Sequence, residues 1–352
     1  MSILGDRISA QRKISCVQLA KIPAPDFDLA MTLGSGQLFN WENVDGGFVG
    51  AIGDRPVYVE QHGDSLLTSC KDEKLIRNYF ALDHPLAEIC ASFPVDPVMG
   101  AAKEFCRGLR IVRQPKWECL ATFICSSMKQ VAHIRQISRS LRERFGEQRK
   151  ITVERSIENT DGGSGAPRAV VIDSASPTLV NIEQGTARST QTYAAFTFPS
   201  ADRIAESSEK ELRKCGLGYR AKNLLASARL IASGDVDLEK LAALTDLDLR
   251  ARLCELPGVG SKIANCVMLF AYERLRAFPI DVWIERVLRE KYFPRARRLN
   301  AARLQAFTEG YFGDHGGYAQ QYLFHHARKT ATRSRTIGAT QSKRRRLSQS
   351  RV

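Results

Sequence analysis

The stretch Glu255 to Phe270, ELPGVGSKIANCVMLF, constrains the fold of this chain more than any other. An amphipathic pattern stops at Leu256-Pro257, turns through Gly258-Val259-Gly260 and resumes at Ser261. Proline closes a helix, and two glycines permit backbone angles and close approaches that a side chain blocks. With Thr245 and Asp248 capping the preceding run, residues 246–273 read as a helix, a tight apolar turn and a second helix. The amides of residues 258–261 would then face outward at a helix N-terminus, an arrangement suited to a phosphate. The plainer alternative is an ordinary corner between two helices.

Lys262 stands in the first turn of that second helix, where the macrodipole disfavours a cation. Desolvation of such a lysine would enrich the neutral amine, the form that attacks an electrophilic carbon; the alternative is a cation that holds a phosphate. Nineteen residues on, Asp281 precedes another helical run and could be a plain N-cap. Taken together, the two residues suit a reaction at a sugar C1′. A carboxylate stabilises the developing positive charge, and an amine captures the carbon.

A chain of 352 residues with 43% apolar content can bury a sizeable core. No stretch approaches the roughly 20 apolar residues of a membrane span, and the N-terminus lacks the pattern of a signal peptide. We therefore expect an intracellular protein with no membrane partner. The net charge of +14 points to a polyanion, but residues 328–352 hold nine Lys or Arg and no acid, which leaves +5 for the rest. The basic segment 329–352 reads as a disordered tail, a nuclear signal or a nucleic-acid arm. Nine cysteines are scattered singly, with Cys106, Cys119, Cys125 and Cys266 in apolar helical settings, and read as reduced thiols without metal-ligand spacing. No cysteine follows Cys266, so a clustered C-terminal iron–sulfur site is excluded, and neither a metal nor another cofactor is expected.

Residues 1–98 alternate in short runs joined at Asp45-Gly46-Gly47, Gly53-Asp54 and Gly63-Asp64, the pattern of a small antiparallel sheet. From residue 99 the period becomes helical and stays so to 328. Residues 146–192 contain no aromatic ring and are rich in loop-forming residues, so they read as an inserted loop, with a short hairpin through RAVVID and TLVNIE as the alternative. The fold class is α+β: an N-terminal antiparallel domain on a larger helical body.

Hairpin, lysine and aspartate resemble the helix-hairpin-helix DNA glycosylase superfamily. Four more segments, GSGQLFNW, RQPKWECLATFICSS, GLGYRAKNLLASA and GGYAQQYLFHHAR, resemble in order the eukaryotic-type 8-oxoguanine DNA glycosylase/AP lyase. The resemblance covers roughly residues 20–145 and 193–328. It implies a monomeric DNA-repair enzyme that acts on duplex DNA containing 8-oxoguanine and flips the lesion out of the stack, where its C1′ can be reached. It further implies that Lys262 attacks C1′ and forms a Schiff base permitting cleavage 3′ to the site, with Asp281 stabilising the charge. Cys266 and Phe324 would sandwich the flipped base, Gln320 would read its Watson–Crick edge, and the Gly36 carbonyl would accept from N7–H, which guanine lacks. The residue pairs 262/266 and 320/324 are each four apart and so share a helix face.

By the same resemblance Tyr219 is a wedge and Arg220 a donor to the orphaned cytosine, while Gly258, Val259 and Gly260 grip the DNA backbone. The chain departs from the family at three points. Met128-Lys129-Gln130 stands where the family has asparagines, His133 where it has an arginine reading cytosine, and Trp283 where it has a histidine near the DNA backbone. These departures imply altered reading of the opposite base. Two other functions fit the hairpin: a glycosylase for another lesion such as alkylated bases, or a non-catalytic DNA-binding protein, which would not need Lys262 paired with Asp281.

Overall fold

A computed structural model describes residues 18–157, 179–183 and 186–331. An antiparallel sheet opens the chain: β1 (Ala20–Pro23), β2 (Glu42–Val44), β3 (Gly47–Ile52), β4 (Arg55–His62) and β5 (Ser65–Thr68), in the order β1-β5-β4-β3-β2. The three glycine-containing turns join β2 to β5, with Val49 opposite Tyr58 and Val59 opposite Thr68. Helices α1 (Leu29–Gly34) and α2 (Glu73–Tyr79) close one face over Ile22, Leu33, Trp41, Val57, Val59 and Leu66.

The opposite face differs from the loop expected over residues 146–192. Strands β6 (Gln148–Ile157), β7 (Leu179–Glu183) and β8 (Thr186–Phe196) form a second antiparallel sheet in the order β6-β8-β7. Leu179–Glu183 of TLVNIE pairs with β8, while Thr178 and RAVVID lie outside the described residues. This sheet covers the first through Ile151, Val153 and Ala195 against Val49 and Tyr58, and the rings of Tyr58 and Tyr193 stack at 5.5 Å. The layer was hidden because its inward apolar side chains are few and alternate with polar ones.

The helical body comprises α3 (Leu86–Ala91), α4 (Pro97–Phe105), α5 (Lys116–Ser126), α6 (Val131–Phe145), α7 (Ala201–Ala205), α8 (Glu209–Leu212), α9 (Arg220–Ala232), α10 (Asp246–Cys254), α11 (Ser261–Ala271), α12 (Val282–Val287), α13 (Ala301–Phe312) and α14 (316–331). Helix α14 thus runs three residues into the expected tail, whose remainder, 332–352, lies outside the described residues. Among the described residues no helix is long and apolar enough to cross a membrane.

The body closes on α11, which buries Ile263, Ala264, Cys266, Val267, Met268, Leu269 and Phe270. Helix α5 packs on one side of it, with the Phe123 and Phe270 rings stacked at 5.5 Å. Helix α14 meets it at Gly317, where an added Cβ would lie 2.3 Å from the Leu269 Cδ1 methyl, so only glycine allows this approach.

A buried ion pair ties α5, α6 and the end of β8 together. Glu118 and Arg142, 8% and 4% exposed, bond to each other, and Arg142 also donates to the Phe196 carbonyl at 2.9 Å. Removing one partner of such a pair strands the other charge out of water. Arg142→Met should therefore lower unfolding stability by about 3–5 kcal/mol, with most of the loss recovered in Glu118→Leu/Arg142→Met. Urea denaturation of the three proteins checks this.

Candidate active site

Helix α10 begins at Thr245, whose hydroxyl accepts from the Asp248 amide at 3.2 Å, and ends before the apolar turn. Gly258 sits at φ +82° against Asn223 of α9, and Gly260 starts α11 with no side-chain cap. The expected anion cradle is narrower than residues 258–261. Val259 is buried and its amide closes the turn on the Leu256 carbonyl at 3.0 Å. Gly258 and Gly260 are exposed, and their amides meet no acceptor among the described residues.

Lys262 projects from the first turn of α11 toward α5. Its Nζ lies 3.4 Å from the Ser126 Oγ and 5.5 Å from the centre of the Phe123 ring. Sequence reasoning missed both contacts; the signal was the apolar face of the Phe123 to Ser126 segment, which read only as core. Asp281 caps α12, accepting from the Ile284 amide at 2.9 Å. Burial raises its carboxyl above the ordinary value, while the Ile284 amide and the Lys262 charge oppose that rise. Burial likewise pushes the Cys266 thiol up to about 11, with Lys262 pulling it down and Asp281 pushing it up. Lysine, cysteine and aspartate therefore share one electrostatic neighbourhood, and the cysteine is held as a neutral thiol.

Helix α14, seated on α11 at Gly317, carries the next residues. Gln320 is 4% exposed, and its Oε1 has no hydrogen-bond partner. A buried amide oxygen left unsatisfied in a folded chain is costly, and a site awaiting a donor accounts for it. Phe324, one turn on, is partly buried, and its Cε1 would lie 3.0 Å from a Cβ on Gly36. Gly36 adopts φ +95°, a conformation that an L side chain rarely takes, and a Cβ there would also strike the Arg328 Nη1 at 2.7 Å. The turn after α1 is thus brought against α14, although 288 residues of sequence separate Gly36 from Phe324. Arg328 links α14 to Asp281: its guanidinium lies 5.3 Å from the Phe324 ring centre, and it feels the charge of Asp281. Among the described residues no group of three or more His, Cys, Asp or Glu side chains converges to hold a metal.

The remaining sequence-derived residues form a rim. Met128 is 91% exposed and sits at φ +54°, which is uncommon for a residue other than glycine, asparagine or aspartate. Lys129, Gln130 and His133 beside it are exposed, and Tyr219 is half exposed. Arg220 is placed otherwise than expected. It is buried; its Nε donates to the Ser127 carbonyl at 2.7 Å and its Nη1 to the Leu217 carbonyl at 3.1 Å, so it braces the turn that presents Met128. Trp283 is partly buried, under the Arg286 guanidinium.

Two family models match the chain: the 8-oxoguanine DNA glycosylase N-terminal domain over residues 20–120, and the HhH-GPD superfamily base excision DNA repair protein over 170–309. A probable N-glycosylase/DNA lyase of Methanothermobacter thermautotrophicus is 28% identical over 324 residues, covering 88% of this chain and 96% of that one. The N-glycosylase/DNA lyase OGG1 of Arabidopsis thaliana is 27% identical, covering 86% of this chain and 78% of its own. Among solved structures, the Clostridium acetobutylicum 8-oxoguanine glycosylase/lyase, in complex with double-stranded DNA containing cytosine opposite 8-oxoguanine, superposes with a TM-score of 0.72 at 25% identity. It covers 89% of this chain and 96% of that one.

Two substitutions test the local energetics. A carboxyl whose folded pKa is raised binds its proton more tightly in the native state, so its charged form costs stability above that range and the loss is recovered as pH falls. Asp281→Asn, which keeps an N-cap acceptor, should therefore leave the melting temperature at pH 7 unchanged or higher. Met128→Asn relieves a left-handed methionine and should gain up to ~1 kcal/mol. Thermal melts across pH check the first, and denaturant midpoints the second.

Proposed function

The chain belongs to the 8-oxoguanine DNA glycosylase/lyase family of helix-hairpin-helix repair enzymes, and we propose that its pocket between α11 and α14 excises 8-oxoguanine from duplex DNA and then opens the strand. The observation that carries this reading is the coupling of Lys262, Cys266 and Asp281 in one electrostatic neighbourhood, with α14 bringing the unpartnered Gln320 oxygen and Phe324 beside the Gly36 turn and Arg328 within reach of the Asp281 charge.

In this reading the flipped base stacks between Cys266 and Phe324, and a neutral thiol suits contact with an uncharged ring. The unpartnered Gln320 oxygen accepts from the base edge, and the Gly36 carbonyl accepts from the N7–H that only the oxidised base carries. Lys262 as the free amine adds to C1′; the bond to the base breaks, its electron pair leaves with the base, and the base takes up a proton. Asp281, ionised, stabilises the positive charge that C1′ develops. Loss of the ring oxygen bond leaves an imine. Removal of a C2′ proton then expels the 3′ phosphate and cleaves the strand. The amides of Gly258 and Gly260 hold a backbone phosphate, and the protein acts as a monomer.

At the rim, Met128 is an apolar tip suited to fill the space the base vacates. It has no donor for the orphaned cytosine, His133 lacks the donor fork of an arginine, and Nε, Nη1 and Nη2 of the buried Arg220 each already donate to a backbone carbonyl. Opposite-base reading is correspondingly weak.

Borohydride added during reaction with an 8-oxoguanine duplex should trap a covalent adduct in the natural protein and none in Lys262→Gln; an adduct in that variant would assign the nucleophile elsewhere. Asp281→Asn should slow base release by about a hundredfold. The preference for cytosine over adenine opposite the lesion should rise roughly ten- to hundredfold in His133→Arg, the worth of one bidentate base contact. Single-turnover rates on the two duplexes decide this, and equal ratios in both proteins would show the opposite base to be read elsewhere.

A further inference from the structure

Beyond the residues that would touch the base, α14 carries a second row of polar side chains, and all three reach the turn that holds Gly36. Gln321 Nε2 donates to the Ser35 carbonyl at 3.3 Å. His325, 2% exposed, meets the Ser35 backbone and is kept neutral by burial, with its pKa lowered to about 4. Arg328 Nη2 donates to the Gly34 carbonyl at 2.6 Å and lies 3.3 Å from the His325 Nδ1. Its Nη1 lies against Gly36, which φ +95° already reserves for glycine, and its guanidinium covers Phe324. One residue therefore touches both the glycine turn and the stacking ring.

We infer that Arg328 is a positioning residue for lesion discrimination: it fixes the Gly36 carbonyl and the Phe324 ring relative to each other, and so sets how sharply the pocket separates 8-oxoguanine from guanine. The inference rests on the function proposed above. The two bases differ at N7 by one hydrogen, and a single carbonyl is a sharp reader only if it is held in place, because a hydrogen bond weakens steeply once its distance and angle are lost. Glycine is the least able residue to hold its own backbone. The restraint has to come from outside, and a charge-assisted bond from a planar, five-donor guanidinium supplies it. Lysine can supply the charge but neither the fork nor the flat face.

The natural protein, Arg328→Met and Arg328→Lys are compared in single-turnover excision of 8-oxoguanine opposite cytosine and in cleavage of a preformed abasic site, which offers no base to read. In a Lys262→Gln background, the same substitutions are compared for the ratio of affinities toward an 8-oxoguanine:cytosine and a guanine:cytosine duplex. Arg328→Met should lose about a hundredfold in excision, the usual cost of a misplacement near 1 Å, while abasic cleavage stays within about twofold and the affinity ratio falls toward one. Arg328→Lys should recover only a minor part of either loss. Unchanged excision with an unchanged affinity ratio overturns the inference. So does faster excision, which would make Arg328 a plug that the base must expel, and so does a parallel loss of both activities, which would make it a general support of the fold. Natural protein that cleaves abasic sites but spares 8-oxoguanine would overturn the substrate reading itself, and this inference with it.

Discussion

The site depends first on how closely α14 seats on α11. At Gly317 the two helices approach to a distance no side chain tolerates, with Leu269, the Leu275 carbonyl and the Ala277 carbonyl all inside contact range of a missing Cβ. The Gly317 amide donates to the Leu275 carbonyl at 2.7 Å, which registers α14 along its axis. That seat decides where Gln320 and Phe324 stand relative to Lys262 and Cys266. Packed interiors resist small displacements, so the spacing of the two helices is a property of the core rather than of the loops around the pocket.

The chemistry follows from what that packing does to charge. Burial moves the Asp281 carboxyl and the Cys266 thiol up and the Arg328 guanidinium down, in each case toward the neutral form. Where burial removes solvent from around a charge, that charge acts more strongly on its neighbours. On Asp281 the influences oppose one another: the Ile284 amide and the Lys262 charge both favour its ionised form against burial. A carboxylate in water would stabilise a developing cation weakly.

Much of this was legible in the sequence because it is local. Lys262 beside a glycine-bracketed turn, Asp281 before a helix, and the spacings 262/266 and 320/324 follow from periodicity and end effects, and the antiparallel N-terminal sheet announced itself through its turns. What escaped was of two kinds. The second sheet escaped because only a few apolar residues, Ile151, Val153 and Ala195, cover Val49 and Tyr58 from strands that otherwise look polar. Ser126, Phe123 and Arg328 escaped because their roles depend on which distant segment they meet; the period of four that runs through 320 and 324 also reaches 328, but nothing local says that the turn at 34–36 will lie there. Arg220 shows the converse, a residue whose local motif pointed to DNA while its donors are turned inward to the Ser127 and Leu217 carbonyls.

Pocket and rim therefore differ in kind. The pocket residues are buried or partly buried groups held on packed helices, whereas the rim is an exposed methionine in a strained conformation, an exposed histidine and a half-exposed tyrosine braced from behind by a buried arginine. A rigid pocket can distinguish two bases that differ by a single hydrogen, because small errors of position are not relaxed away. An apolar tip at the rim can fill a gap in a duplex whichever base stands opposite, because filling space requires no particular pattern of donors. On the proposed reading the physical division is between reading and wedging, so a change of sequence at the rim can relax opposite-base choice while leaving the proposed lesion pocket on α11 and α14 intact.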